Sequence, residues 1–142
     1  MKVHFSSERV DWETPWGLFA ELHKEFGFTL DVCAQEHNTK LGNYFSPDDD
    51  GLSQDWSGNT CWMNPPYGRE IAKWVEKAHS EAQKGTTVVA LLPSRTDTKW
   101  FHDFIYKQAE VRFLKGRVRF VGAKNSAPFP SMIVIWRDRN DD

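Results

Sequence analysis

A chain of 142 residues fits one compact domain and leaves little room for a second core. Hydrophobic residues make up 39% and aromatics 14%, with seven tryptophans, which supplies a packed interior and excludes a disordered chain. The formal charge of -2 excludes a uniformly basic nucleic-acid-binding surface, so any such surface has to be local.

The opening stretch MKVHFSSERVDWE has no apolar core for a signal peptide, and no stretch approaches the roughly twenty apolar residues of a membrane span. Cys33 and Cys61 lack metal-ligand spacing and are expected to be reduced and buried. The expectation is a cytoplasmic chain with no membrane segment and no metal.

Thr14 before Pro15 reads as a cap ahead of a proline at the first helical position, and Trp16, Phe19, Leu22 and Phe26 then recur at helical spacing until Gly27. Residues 28–32 form a short apolar strand, and 43–45 offer another. The run Ser46-Pro47-Asp48-Asp49-Asp50-Gly51 is a turn-rich surface loop. Cys61-Trp62-Met63 is a third strand, ending at Asn64. Ile71, Trp74, Val75, Ala78 and Ala82 mark an amphipathic helix over 68–84, closed by Gly85. Residues 87–92 are continuously apolar and rich in β-branched side chains, the pattern of a strand buried on both faces. A third helix is predicted over 97–108 through Trp100, Phe101, Phe104 and Ile105. Three strands over 110–114, 117–121 and 132–136 complete an antiparallel tail. Strands alternating with helices make this an α/β chain, with a mostly parallel sheet and an antiparallel edge.

Asn64-Pro65-Pro66-Tyr67 lies between a predicted strand and a predicted helix, on the edge where open α/β sheets place their sites. An exocyclic amine on a nucleobase is a poor nucleophile because its lone pair is delocalised into the ring. The Asn64 side-chain oxygen and the Pro65 carbonyl could each accept one amino hydrogen and aim the lone pair at an electrophilic methyl group. Pro65 and Pro66 stiffen the loop that carries these acceptors, and Tyr67 would stack on the base face. The bland alternative is a proline-stiffened turn in which Asn64 caps the following helix.

With this motif followed by Gly68, the chain resembles the phage-type DNA N6-adenine methyltransferase (Dam-like) family over nearly its whole length. The likeness also runs through Thr14-Pro15-Trp16, Leu30-Asp31-Val32-Cys33-Ala34 with Asn38, Gly51-Leu52 with Asp55-Trp56, and Leu91-Leu92-Pro93 with Arg95 to Thr98 and Trp100-Phe101. It continues in Gly116-Arg117-Val118-Arg119-Phe120 and in Ser126 to Ser131. The resemblance implies a single methyltransferase domain over 1–142 with a compact Rossmann-like class I fold, S-adenosylmethionine as donor and adenine in DNA as acceptor. A phage-encoded member would work in the host cytoplasm.

By resemblance, the cofactor site falls on Thr14, Pro15, Asp31, Cys33, Ala34 and Asn38. Asp31 would meet the cofactor's ammonium or else cap the next turn, and Asp55, just before the catalytic strand, would meet the adenine ring region or else serve a simple turn. The usual glycine-rich turn after the first strand is missing, and small residues stand there instead. Asp48, Asp49 and Asp50 all offer a carboxylate for the ribose, the sequence does not say which, if any, serves, and a solvated acidic loop is the favoured reading. Basic residues concentrate in the second half of the chain. Arg95 and Lys99 follow a strand end on the catalytic edge, and Arg117 and Arg119 alternate on one predicted strand face, so these four are the expected DNA contacts. Their alternative is a charged edge strand protected from aggregation.

Three rival readings remain at this point. The acceptor could be cytosine N4, an RNA base or a protein glutamine, since the tetrapeptide suits amide-type nitrogens generally. The missing glycine turn also motivates an inactive nucleic-acid-binding relative. A homodimer would let so short a chain cover both strands of a site.

Overall fold

The computed structural model describes residues 11–137, so the first ten and last five residues of the expected 1–142 domain lie outside the described region. Five strands form one mixed sheet in the order β1-β2-β3-β5-β4. They are β1 (Leu30–Asp31), β2 (Thr60–Met63), β3 (Thr87–Pro93), β4 (Glu110–Phe113) and β5 (Ser131–Trp136). β1, β2 and β3 are parallel neighbours, whereas β5 runs antiparallel to both β3 and β4. The antiparallel part therefore begins inside the sheet, with only β4 at the edge.

Three helices, α1 (Trp16–Phe26), α2 (Ile71–Gln83) and α3 (Lys99–Phe104), complete the α/β architecture. Gly27 ends α1 in the left-handed region at φ 68°, with its N–H donating to the His23 carbonyl, an ending that an L side chain strains against. Thr14 does not cap α1. Pro15 occupies the cap position without a side-chain bond, and the Thr14 hydroxyl is engaged elsewhere. Thr98 does cap α3, accepting from the Phe101 N–H at 3.2 Å, and so starts this helix later than the predicted 97. Its early end comes where the Tyr106 N–H turns back to the Phe101 carbonyl and Lys107 takes φ 64°.

β3 and β5 are buried along almost their whole length, as their unbroken apolar runs require. Trp56, Trp62 and Trp136 are the largest fully enclosed side chains. Below them, the Glu81 carboxylate accepts the Trp56 N–H at 3.0 Å and pairs with Lys77 and Lys84, fastening the loop before β2 to α2.

Two predicted strands differ from what forms. Residues 43–45 make only one bridge, Tyr44 to Asp31, flanked by bonds from the Asp31 N–H to the Asn43 carbonyl and from the Phe45 N–H to the Asp31 carbonyl. Residues 117–121 are not a strand at all. Their backbone groups go to other partners, Val118 accepting from the Ala127 N–H and Val121 donating to the Glu13 carbonyl, between left-handed glycines at 116 and 122. Arg117 and Arg119 consequently share a loop, not a strand face.

Candidate active site

β1 ends in Asp31 and β2 in Met63, so their parallel pairing brings Asp31 and Asn64 to the same edge of the sheet. A cavity of about 300 Å³ opens there, at the lower limit of ordinary small-molecule sites. Its wall includes Asn64, Pro65 and Pro66 from the motif, together with Thr14, Asp31, Cys33, Ala34 and Asn38. Eight of the residues singled out in the sequence therefore meet in one place.

Asn64 is held on one side only. Its Nδ2 donates to the Trp12 carbonyl and, at 3.0 Å, to the Thr14 hydroxyl, whereas its Oδ1 is buried with no hydrogen-bond partner. An enclosed acceptor left unmade costs about 1–3 kcal/mol, so it marks a position kept for an incoming donor. Helix capping does not account for Asn64, because α2 starts at Ile71 with Glu70 at its cap.

The wall is strongly acidic: Asp11, Glu13, Asp31, Asp50 and Glu70 face a single lysine, Lys40. Glu13 pairs with the Lys40 ammonium at 3.1 Å, leaving a net excess of carboxylates that favours a cationic occupant. Burial pushes the Asp31 carboxyl up to about 6, although the N–H groups of Lys40 and Cys33 donate to it and restrain the rise. Burial, with Asp31, Asp11 and Glu70 nearby, likewise pushes the Cys33 thiol up to about 12, so it remains a neutral wall and no nucleophile.

Close backbone approach occurs at Gly51, against the start of the Cys33-Ala34 turn. A Cβ at Gly51 would stand 2.4 Å from the Val32 carbonyl oxygen and 3.1 Å from the Trp74 ring. Asp50 beside it adopts φ 55°, and the Trp56 indole N–H holds the Gly51 carbonyl at 2.9 Å.

Residues 3–142 match the sequence pattern of the DNA N-6-adenine-methyltransferase (Dam) family. The chain belongs to that family. It is an adenine-specific DNA methyltransferase of the phage-related type. The DNA N-6-adenine-methyltransferase of Haemophilus phage HP1 (strain HP1c1) is 33% identical over 141 residues, spanning 94% of this chain and 82% of the relative. YfdM of Escherichia coli (strain K12), named as a methyltransferase, is 33% identical over 63 residues, 39% of this chain and 69% of its own length. Among the described residues, no helix is long and apolar enough to cross a membrane.

Other expected site residues of this Dam-family chain lie off the cavity wall. Pro15 caps α1 and accepts the Phe19 N–H. Tyr67 is buried, its hydroxyl donating to the Leu91 carbonyl at 2.7 Å and its ring set edgewise to Phe120 and Phe129, so no ring face is presented to the cavity. Asp55 is exposed and accepts the Ser57 N–H and hydroxyl while pairing with Lys84 at 3.6 Å; this is a turn role, away from the cavity. Arg95 is exposed beyond the end of β3, and Lys99 pairs with Asp103 along α3. Arg117 and Arg119 lie on the 114–130 loop, their side chains reaching the Ala127 and Ala123 carbonyls.

Sequence reasoning missed Trp12, Glu13, Lys40 and Gly51. Trp12 reads as part of a helix lead-in, yet its ring packs 5.2 Å from both Phe120 and Phe129 and its carbonyl holds Asn64. The available signal was a large aromatic residue standing ahead of Pro15, where the helix opens.

Proposed function

We propose that this methyltransferase carries a methyl group from S-adenosylmethionine to adenine N6 on a Rossmann-like class I fold, with Asn64 and Pro65 as the catalytic acceptors. The observation that carries this reading is the buried, unpartnered Oδ1 of Asn64 at the carboxyl edge of three parallel strands.

Adenine N6 donates its lone pair into the ring and is flat. Asn64 Oδ1 accepts one of its hydrogens and the Pro65 carbonyl the other, drawing the nitrogen toward a tetrahedral shape with its lone pair free to attack. Pro65 and Pro66 hold φ fixed, so the acceptors need no ordering during the reaction. No general base is required, since the amine loses its proton after the carbon arrives. Tyr67 supports the pocket from behind through Phe120 and Phe129 in place of stacking on the base.

S-adenosylmethionine supplies, when bound, an electrophilic methyl carbon on a sulfonium. The residues present suit such a group because the wall is acidic and the donor is cationic. Asp31 would hold the ammonium, and Thr14, Cys33, Ala34 and Asn38 would complete that side. Of the three candidate aspartates, Asp50 alone lines the cavity and is assigned to the ribose hydroxyls.

A base inside a duplex is stacked and paired, and extruding it costs a few kcal/mol. Phosphate contacts offset that. The 114–130 loop carries Lys115, Arg117, Arg119 and Lys124 with no acidic residue, and it meets the catalytic edge through Phe120. These four, with Arg95 and Lys99 beyond β3, are assigned to the DNA backbone.

Incubation with labelled S-adenosylmethionine and unmethylated DNA, followed by nucleoside analysis, tests the reading. We expect N6-methyladenine, and an Asn64→Ala variant that binds the cofactor normally in calorimetry but turns over about 10²-fold slower or worse. Label found only in cytosine, or wild-type turnover by the variant, would overturn it.

A further inference from the structure

The segment 11–14 runs along the cavity wall without belonging to any helix or strand, and two of its groups bond Asn64. The Trp12 carbonyl and the Thr14 hydroxyl both receive Nδ2 of Asn64. From the other side, the 114–130 loop pins the same segment. Phe120 and Phe129 pack on the Trp12 ring, and the Val121 N–H donates to the Glu13 carbonyl at 3.0 Å.

We propose that Thr14 is a positioning residue that steadies the Asn64 amide in the orientation selected by the Trp12 carbonyl, which can only accept, with the amide oxygen, not its nitrogen, available to the substrate amine. This rests on the catalytic reading of Asn64. A side-chain amide has an acceptor end and a donor end of nearly equal shape, so sterics alone do not choose between them. Turned over, Asn64 would set Oδ1 against the Trp12 carbonyl, two acceptors face to face, and would offer an N–H to an amine that itself has hydrogens to donate. The site would then repel its substrate. Thr14 is buried at 1% exposure, so its hydroxyl competes little with water for this task.

Two variants separate the hydroxyl from the shape of the side chain. Thr14→Val keeps the volume and removes the acceptor; Thr14→Ser keeps the acceptor. For Thr14→Val, kcat is expected to fall about tenfold, the equivalent of one hydrogen bond of roughly 1.4 kcal/mol. KM for DNA should stay within about twofold, and Thr14→Ser should restore kcat. A readout independent of turnover is the side-chain NH2 signal pair of Asn64 in nitrogen-15-labelled full-length protein, identified by its absence from Asn64→Ala. That pair should be protected from hydrogen exchange in the wild type and in Thr14→Ser, and should lose protection in Thr14→Val.

Unchanged NH2 protection in Thr14→Val overturns the proposal. So does a raised KM for S-adenosylmethionine at constant kcat, which would make Thr14 a cofactor contact only. Full activity in Asn64→Ala is a different failure: it removes the catalytic reading and leaves the NH2 result to stand as a fact about the fold.

Discussion

The Lys40 backbone N–H donates to Oδ2 of Asp31 at 3.1 Å, while the Lys40 ammonium turns away to Glu13 and lies 3.8 Å from the centre of the Trp16 ring. Asp31 thus meets the Lys40 N–H directly and the Lys40 charge only at a distance, and both hold its carboxyl down. Burial prevails, and its carboxyl titrates near 6.

Two opposite pH effects arise from that single group. An anionic Asp31 is needed to hold a cationic cofactor, so affinity for S-adenosylmethionine should decline as pH drops through about 6. Stability moves the other way. The folded state binds this proton more tightly than the unfolded chain, whose carboxyl titrates near 3.8, so the contribution from Asp31 grows as pH falls from about 6 toward 3.8. Calorimetric titrations and urea melts at pH 5 and 7 check both effects, and Asp31→Asn should flatten both. Cofactor affinity that is equal at the two pH values in the wild type would refute the assignment.

Gly51→Ala should destabilise the fold by about 1–3 kcal/mol, because the added carbon meets the fixed Val32 carbonyl and backbone has to move. Since Gly51 also lines the cavity, cofactor affinity should weaken in the same variant. Thermal unfolding with and without S-adenosylmethionine reads both, and an unshifted Tm would show that the loop yields freely.

Neutralising the loop arginines should affect DNA alone. The double variant Arg117→Gln with Arg119→Gln is expected to raise KM for DNA and to lower the salt dependence of binding by about one log-log unit per lost phosphate contact. Its kcat and cofactor affinity should match the wild type. An unchanged salt slope would remove these residues from the interface.

Tyr67→Phe deletes the buried hydroxyl that meets the Leu91 carbonyl and keeps the ring against Phe120 and Phe129. A stability loss of about 1 kcal/mol in urea melts is expected, with methylation close to the wild-type rate. A rate loss beyond tenfold would instead give the hydroxyl a part in the reaction.

Local signals carried most of the fold. Periodicity located α1, α2, β2 and β3, and Gly27 marked the end of α1, because in each case the determining contacts lie within the element or across a uniformly apolar layer. Arg117 to Val121 misled for the opposite reason: alternation looks the same whether the backbone pairs with a strand or with Glu13, about a hundred residues away in the chain. Asn64 could be singled out because its neighbours in sequence are unusual. The direction in which its amide faces depends on Trp12 and Thr14, joined to it only through tertiary folding, and no spacing rule reaches that far. Asp55 shows the converse, a carboxylate in a plausible place whose nearest partner, Ser57, claims it locally.

β5 inserts between β3 and β4, although among the described residues it is the last strand to be made. A nascent chain still lacking residues 131–136 leaves β4 without a partner and β3 paired on one edge only, and its arginine-bearing loop is tethered at one end only. Residues 131–136 must leave the ribosome before this sheet can close, so a product truncated ahead of Ser131 should be inert.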